Sequence, residues 1–247
     1  FFRPTDDLIK RWLEEGMDNE NAWQDFGFDF LTIERIPVNY GFSPPFKEIV
    51  LEEDEKVRIR RNSFGITFRE FNEGPNSKMP QFLDYPLKKR EDWEKLKERL
   101  NPDDPARFPN NWNELVKEYK ERDFPLQIGR YPFGFFGTLR DFMGFERVLM
   151  AFYDQSDLVR DILSYLTDFW IAIWAKIISE VTVDVGHIWE DMCYRSGSFI
   201  SPGLFREFIL PCYKKITAFA KDSGIDIITV DTDGNCWELI PLFLEGG

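Results

Sequence analysis

Twice in its second half the chain drives an apolar, β-branched run straight into a pair of acids and then into a helical pattern. The first run, Val181 to Ile188, alternates and leads through Trp189 to Glu190 and Asp191. The second, Ile225 to Val230, reads as a strand buried on both faces and opens into Asp231-Thr232-Asp233-Gly234-Asn235. Ser201-Pro202 starts a helix with apolar Leu204, Phe205, Phe208 and Ile209 at helical spacing, and Trp237, Leu239, Ile240 and Leu242 follow the second acidic loop. This is a βα repeat. In parallel α/β folds the loops at the C-terminal strand ends vary over a fixed scaffold, so ligands and catalytic groups collect there. The acids therefore mark a candidate site.

Earlier segments are less regular. Pro125 to Gly129 reads as a further strand, and Ile33 to Tyr40 as a fourth. Thr5 can cap a helix with Asp6 and Asp7 in its first turn and Gly16 as its stop. Glu48 to Leu51, Val57 to Arg61 and Gly65 to Phe71 look like two or three strands, and Arg58, Arg60 and Arg61 suggest an exposed edge that discourages pairing. Asp92 to Leu100 and Asn113 to Lys120 read as short amphipathic helices.

Glu190-Asp191-Met192, Ser198-Phe199-Ile200-Ser201-Pro202, Phe205-Arg206-Glu207-Phe208 with Pro211, Lys221 through Gly224 and Asp231-Thr232-Asp233-Gly234-Asn235 together resemble the uroporphyrinogen decarboxylase superfamily. The likeness is most specific from Gly129 to Gly247, with weaker echoes in Arg11-Trp12, Glu15-Gly16 and Ile36-Pro37-Val38. It implies a (β/α)8 TIM barrel and a chemistry of either porphyrinogen decarboxylation or cobalamin-dependent methyl transfer. On this reading residues 1–122 are an N-terminal extension of helices and β-hairpin packing on the barrel, and 123–247 are its first part. Members of the superfamily continue beyond the point matching Gly247, so the barrel is expected to be incomplete at its C-terminus and to need a partner chain or self-association.

The resemblance favours the methyltransferase-like branch. The decarboxylase's arginine-rich N-terminal motif is missing, and an acidic chain repels a poly-acid substrate. The expected reaction binds a small molecule in the barrel mouth, polarises its methyl-bearing heteroatom with Glu190 or the pair Asp231 and Asp233, and passes the methyl group to a corrinoid on a partner protein. If the strand persists, Asp231 and Asp233 point to one side about 6 to 7 Å apart, a spacing for a shared cation, one polar ligand or an acid and base. Zinc-using relatives carry His-x-Cys-Gly at this place. Two aspartates are harder ligands, which disfavours zinc, and no metal is expected. Rebuilding a zinc site from His187, Asp231, Asp233 and Cys236 competes with the plainer reading of Cys236 as a helix-start packing residue and His187 as a bonded core residue.

The segment Gly129 to Gly137 offers glycines for close backbone approach and aromatic walls, against a plain core reading. Phe133, Gly134, Arg140, Trp189, Ser198, Gly234 and Asn235 are the expected substrate contacts. Glu190 has two readings, a proton-transfer group raised by its indole neighbour or a partner for Arg140 or Arg195, while Asp191 is expected to point away and cap a turn. A glycoside hydrolase using Glu190 and an aspartate, and a non-catalytic truncated barrel serving as a binding or scaffold protein, are the alternatives from other classes.

The net charge of -13, without a basic run, argues against nucleic acid and anionic membranes as partners. Phe169 to Ile178 is interrupted by Lys176 and too short to span a bilayer, so it reads as part of a long packed helix. Phe1-Phe2-Arg3-Pro4 shows no leader pattern, and the three cysteines are odd and widely spaced. A cytoplasmic protein is expected.

Overall fold

The computed structural model describes residues 4–21, 33–72 and 80–247; Phe1 to Arg3, inspected above for a leader, lie outside them. The chain divides into two compact units, Phe1–Thr32 and Ile33–Gly247. In the first, α1 (Asp6–Glu14) begins where the Thr5 hydroxyl accepts the Leu8 amide at 3.3 Å. It ends before Gly16, whose φ of +105° suits the residue that follows a helix.

The second unit opens with β1 (Glu34–Arg35), followed by β2 (Ile49–Glu53), β3 (Val57–Arg61), β4 (Thr67–Phe71) and β5 (Gln81–Asp84). Helices α2 (Arg90–Lys97) and α3 (Trp112–Glu121) lead to β6 (Leu126–Ile128), α4 (Phe135–Met143), α5 (Phe145–Asp154) and α6 (Ser156–Ile178). Next come β7 (Val185–Trp189), a small hairpin of β8 (Cys193–Tyr194) and β9 (Gly197–Ser198), α7 (Pro202–Leu204), α8 (Leu210–Asp222), β10 (Ile227–Asp231) and α9 (Ile240–Glu245). The Ser201 hydroxyl caps α7 and Pro202 takes its first turn, as the sequence suggests. A π-turn over Phe205–Ile209 joins α7 to α8, where Pro211 has no amide to continue a regular ladder.

Four strands form a parallel sheet in the order β1-β6-β7-β10. The segment expected as a fourth strand thus joins it, though only over two residues. The architecture is α/β with a barrel-like parallel sheet. Strands β1 and β10 are its two edges among the described residues. Consequently β10 is not buried on both faces: Ile227, Thr229 and Asp231 are exposed while Ile228 and Val230 are half-buried. One neighbouring strand and one helix layer cover only half of such an edge.

Strands β2 to β5 make a separate antiparallel meander. The arginines of β3 were expected on an edge, but β3 pairs with β2 on one side and β4 on the other. Cross-strand carboxylates permit this: Arg58 meets Glu53, Arg60 meets Glu70 at 3.0 Å, and Arg60 also stacks over Phe68.

Strand alternation sorts the parallel sheet into two faces. Along β7, Gly186 and Ile188 face the helices, where a Cβ on Gly186 would come within 3.1 Å of the Trp174 ring of α6. Val185, His187 and Trp189 face the other way, in register with Ile227, Thr229 and Asp231 of β10. The 23-residue α6 supplies much of the core through Trp170, Ile173, Trp174 and Ile177, all buried. No helix among the described residues is long and apolar enough to cross a membrane.

Candidate functional site

The C-terminal ends of β6, β7 and β10 lie side by side and carry the loops singled out in the sequence. Strand β7 runs one residue further than the sequence suggested, to Trp189, and that residue decides which acid faces where. Glu190 falls on the helix side and is fully buried. Its carboxylate accepts the amides of Phe135 at 3.0 Å and Phe136 at 2.7 Å, and the Tyr213 hydroxyl at 2.9 Å, with Gly137 at 3.4 Å. These are orphan amides of the first turn of α4, where a helix dipole favours negative charge. Glu190 therefore ties β7 to α4 and α8, and no arginine among the described residues pairs with it.

Burial pushes the Glu190 carboxyl up to about 7, outweighing the bonds from Phe135, Tyr213, Phe136 and Gly137 that favour its ionised form. The folded value lies above the ordinary 4.5, so the native state holds an extra proton between the two. The contribution of Glu190 to stability is then fully present below pH 4.5 and is lost, by on the order of 3 kcal/mol, as pH rises through about 7. Glu190→Gln should flatten that slope. Urea midpoints between pH 4.5 and about pH 8 check it, and a glutamine variant with the native slope would refute the assignment.

Asp191, expected to turn away, belongs to the exposed side. Its φ is +43°, and its carboxylate pairs with Arg140 of α4 at 2.6 Å. Arg140 also donates to the Asp191 carbonyl and lies over the Trp189 ring at 5.4 Å. Tyr131 stands edge-on to Trp189 with ring centroids 4.7 Å apart, and its hydroxyl donates to Asp141 at 2.7 Å. Tyr131, Arg140, Asp141, Trp189 and Asp191 thus form one continuous cluster. Burial raises the half-buried Asp141 carboxyl to about 6, against the Tyr131 hydrogen bond and Arg140, with Asp191 adding to the rise. A carboxyl poised near neutrality beside aromatic walls suits proton transfer.

Asp231 is exposed at the end of β10, in register with Trp189, and its carbonyl accepts the amides of Glu190 at 2.8 Å and Asp191 at 3.2 Å. Its charge opposes the burial that lowers the pKa of His187, whose Nδ1 lies 2.9 Å from the Thr229 hydroxyl. The strand stops at Asp231, so the alternation assumed for the aspartate pair does not reach the exposed Asp233. Among the described residues no group of three or more histidine, cysteine and acidic side chains could hold a metal.

The other expected contacts are placed as follows. Phe133 is fully buried, stacked on Trp174 at 4.8 Å and beside Trp170 at 4.7 Å. The glycines beside it serve protein packing: a Cβ at Gly129 would sit 2.0 Å from the His187 carbonyl oxygen, and one at Gly134 1.5 Å from that of Trp189. Ser198 is half-buried in the β8–β9 hairpin and donates to the Ile200 carbonyl at 2.8 Å. Gly234 and Asn235 line a cavity of about 380 Å³ with Arg195, Cys236 and Trp237. Cys236 precedes its helix, which starts at Ile240 with Pro241 in the first turn. Asp141 went unmarked in the sequence because it meets Tyr131 ten positions away, across a loop and a helix turn, a spacing with no periodic signature.

The Uroporphyrinogen decarboxylase (URO-D) family model matches residues 66–240. Among solved structures a methyltransferase from Methanosarcina mazei is similar, at 20% identity and a TM-score of 0.49, covering 74% of this chain and 51% of that one. The chain thus spans about half the length of that protein. No curated protein matches.

Proposed function

The chain belongs to the uroporphyrinogen decarboxylase family, and on that footing we propose that it takes part in methyl transfer from a small molecule to a corrinoid carrier, with Asp141 as the proton donor. The observation that carries this reading is the half-buried Asp141 carboxyl, joined through Tyr131 to Trp189 at the C-terminal mouth of the parallel sheet. Trp189 and Tyr131 supply an apolar corner for the substrate, and Asp191 holds Arg140 over the Trp189 ring. A bound corrinoid would supply the nucleophile that accepts the methyl group, which would leave the electron pair of the broken carbon–heteroatom bond on the heteroatom. Asp141 gives that heteroatom its proton and becomes a carboxylate, which the Tyr131 hydroxyl is already placed to stabilise. Glu190 acts as a positioning residue, since it fixes the first turn of α4, the helix that bears Arg140 and Asp141.

Decarboxylation of a poly-acid is the weaker reading, because a chain of net charge -13 repels it and the arginine of the mouth is already neutralised by Asp191. Incubation of the protein with Co(I) cobalamin and a panel of methyl ethers, methylamines and methyl thioethers should develop methylcobalt absorbance with at least one donor. Absence of that band with every donor would count against methyl transfer. A non-catalytic binding role is favoured by one observation, the exposed apolar side chains Ile227, Trp237 and Leu244. A folded chain that captures a partner and turns over no donor would establish that role instead.

A further inference from the structure

A separate charged cavity lies away from this mouth, between the antiparallel meander and α2. Cross-strand register sets Arg61 opposite Thr67 and Thr67 opposite Asp84, so the three form one row across β3, β4 and β5. With Lys95 of α2 and Arg99 just beyond it, that row lines a cavity of about 520 Å³.

The acids of the cavity are largely engaged. Asp84 holds Lys88 at 2.8 Å, and Asp92 accepts the amides of Lys88 and Lys89 at 3.1 and 3.2 Å. Glu98 remains, against Arg61, Lys95 and Arg99. Arg99 lies over the Phe46 ring at 4.5 Å and donates to the Pro44 carbonyl at 2.7 Å. Arg61 is different. Its Nε is sealed from solvent and meets no acceptor among the described residues. Arg60 and Arg69 also carry a sealed Nε, but each has another guanidinium nitrogen bonded, to Glu70 and Gln81 respectively. Arg61 makes neither hydrogen bond nor ion pair there.

That Nε is closed to solutes as well as to water, but the two terminal nitrogens of Arg61 are open and bonded to no described residue, and a chain this acidic has carboxylates to offer an arginine wherever structure requires one. What fits Arg61 is an external group with two oxygens, because the guanidinium fork matches carboxylate and phosphate geometry. We propose that this cavity binds a small oxyanion, a phosphate or a carboxylate, through the Arg61 fork and the Lys95 ammonium, with the Thr67 hydroxyl as a further donor. The site shares no residue with the Tyr131–Asp141 cluster and stands independently of the methyl-transfer reading.

Calorimetric titration of the full chain with inorganic phosphate and, separately, with citrate at low ionic strength tests the proposal. One-to-one binding of at least one anion is expected, weakened at least about tenfold by Arg61→Gln and several-fold by Lys95→Gln. Arg61→Lys keeps the charge but loses the fork and should fall between. Arg160→Gln, whose partner is Glu207 on another face, should bind as the native chain does. Phosphate binding alone identifies a phosphate site, and citrate binding alone a carboxylate site. Failure of both anions, or equal affinity in the native chain and Arg61→Gln, overturns the proposal. Should Arg61→Gln fail to fold by circular dichroism, unchanged affinity in Lys95→Gln, an exposed position, overturns it equally.

Discussion

Asp141→Asn is expected to lower the proposed methyl transfer by about a hundredfold or more while leaving the thermal midpoint within a few degrees of the native value. The asparagine keeps the volume and one acceptor for the Tyr131 hydroxyl, so the cluster around Trp189 survives. What it loses is the transferable proton, and general acid catalysis by a placed side chain contributes about 100- to 10,000-fold. The pH profile separates this role from a structural one. With the carboxyl raised to about 6, its protonated form is depleted as pH climbs, so the native rate should fall through that region. The variant's residual rate should show no such limb. A variant that keeps both the native rate and the native profile would remove Asp141 from the chemistry.

Much of the scaffold was legible because it depends on local physics. Thr5 and Ser201-Pro202 announce helix starts through hydrogen bonds that span three residues, and both occur where expected. The apolar runs near residues 126, 185 and 227 are strands of one parallel sheet because β-branched segments between helices have few other places to go. Exposure was not legible. Ile227 and Thr229 read as part of a strand buried on both faces, yet their burial depends on which strand lies beyond β10, a fact that no local window contains. The arginine-rich β3 misled for the opposite reason, since its charges are answered by Glu53 and Glu70 on neighbouring strands.

The facing of the two acids after β7 was legible only to within one residue, and in a strand one residue is the difference between two faces. Counting β7 to Ile188 leaves Glu190 as the acid of the mouth, whereas a strand reaching Trp189 turns Glu190 toward the helices and leaves Asp191 on the other side with Arg140. The structure places Glu190 among the helices and Asp191 beside Arg140, the reverse of the expected facing. Arg140 and Trp189, both expected as substrate contacts, do meet, but what joins them to a carboxyl raised toward neutrality is Tyr131, an aromatic in a segment whose other rings are core.

Gly134→Ala should cost about 4 kcal/mol or abolish folding, a larger effect than that expected of most single substitutions. The reason is space rather than backbone conformation, because φ at Gly134 is 176°, an extended value open to any residue. A Cβ there would lie 1.5 Å from the Trp189 carbonyl oxygen and 2.5 Å from its carbon, and neither atom is the end of a flexible side chain. Relief requires β7 and α4 to separate. Separation breaks the 2.7 Å bond from the Trp189 amide to the Phe133 carbonyl and pulls the α4 amides away from Glu190, leaving a buried carboxyl without its donors. Gly203→Ala provides the contrast within the same protein. Its Cβ would meet nothing closer than the Ser201 hydroxyl at 3.6 Å, and in the helical turn of α7 an alanine should stabilise by about 0.5 to 1 kcal/mol. Denaturant titration of the two variants should therefore give shifts of opposite sign. If Gly134→Ala unfolds at the native midpoint, the tight contact between β7 and α4, and with it the placement of Arg140 over Trp189, is wrong.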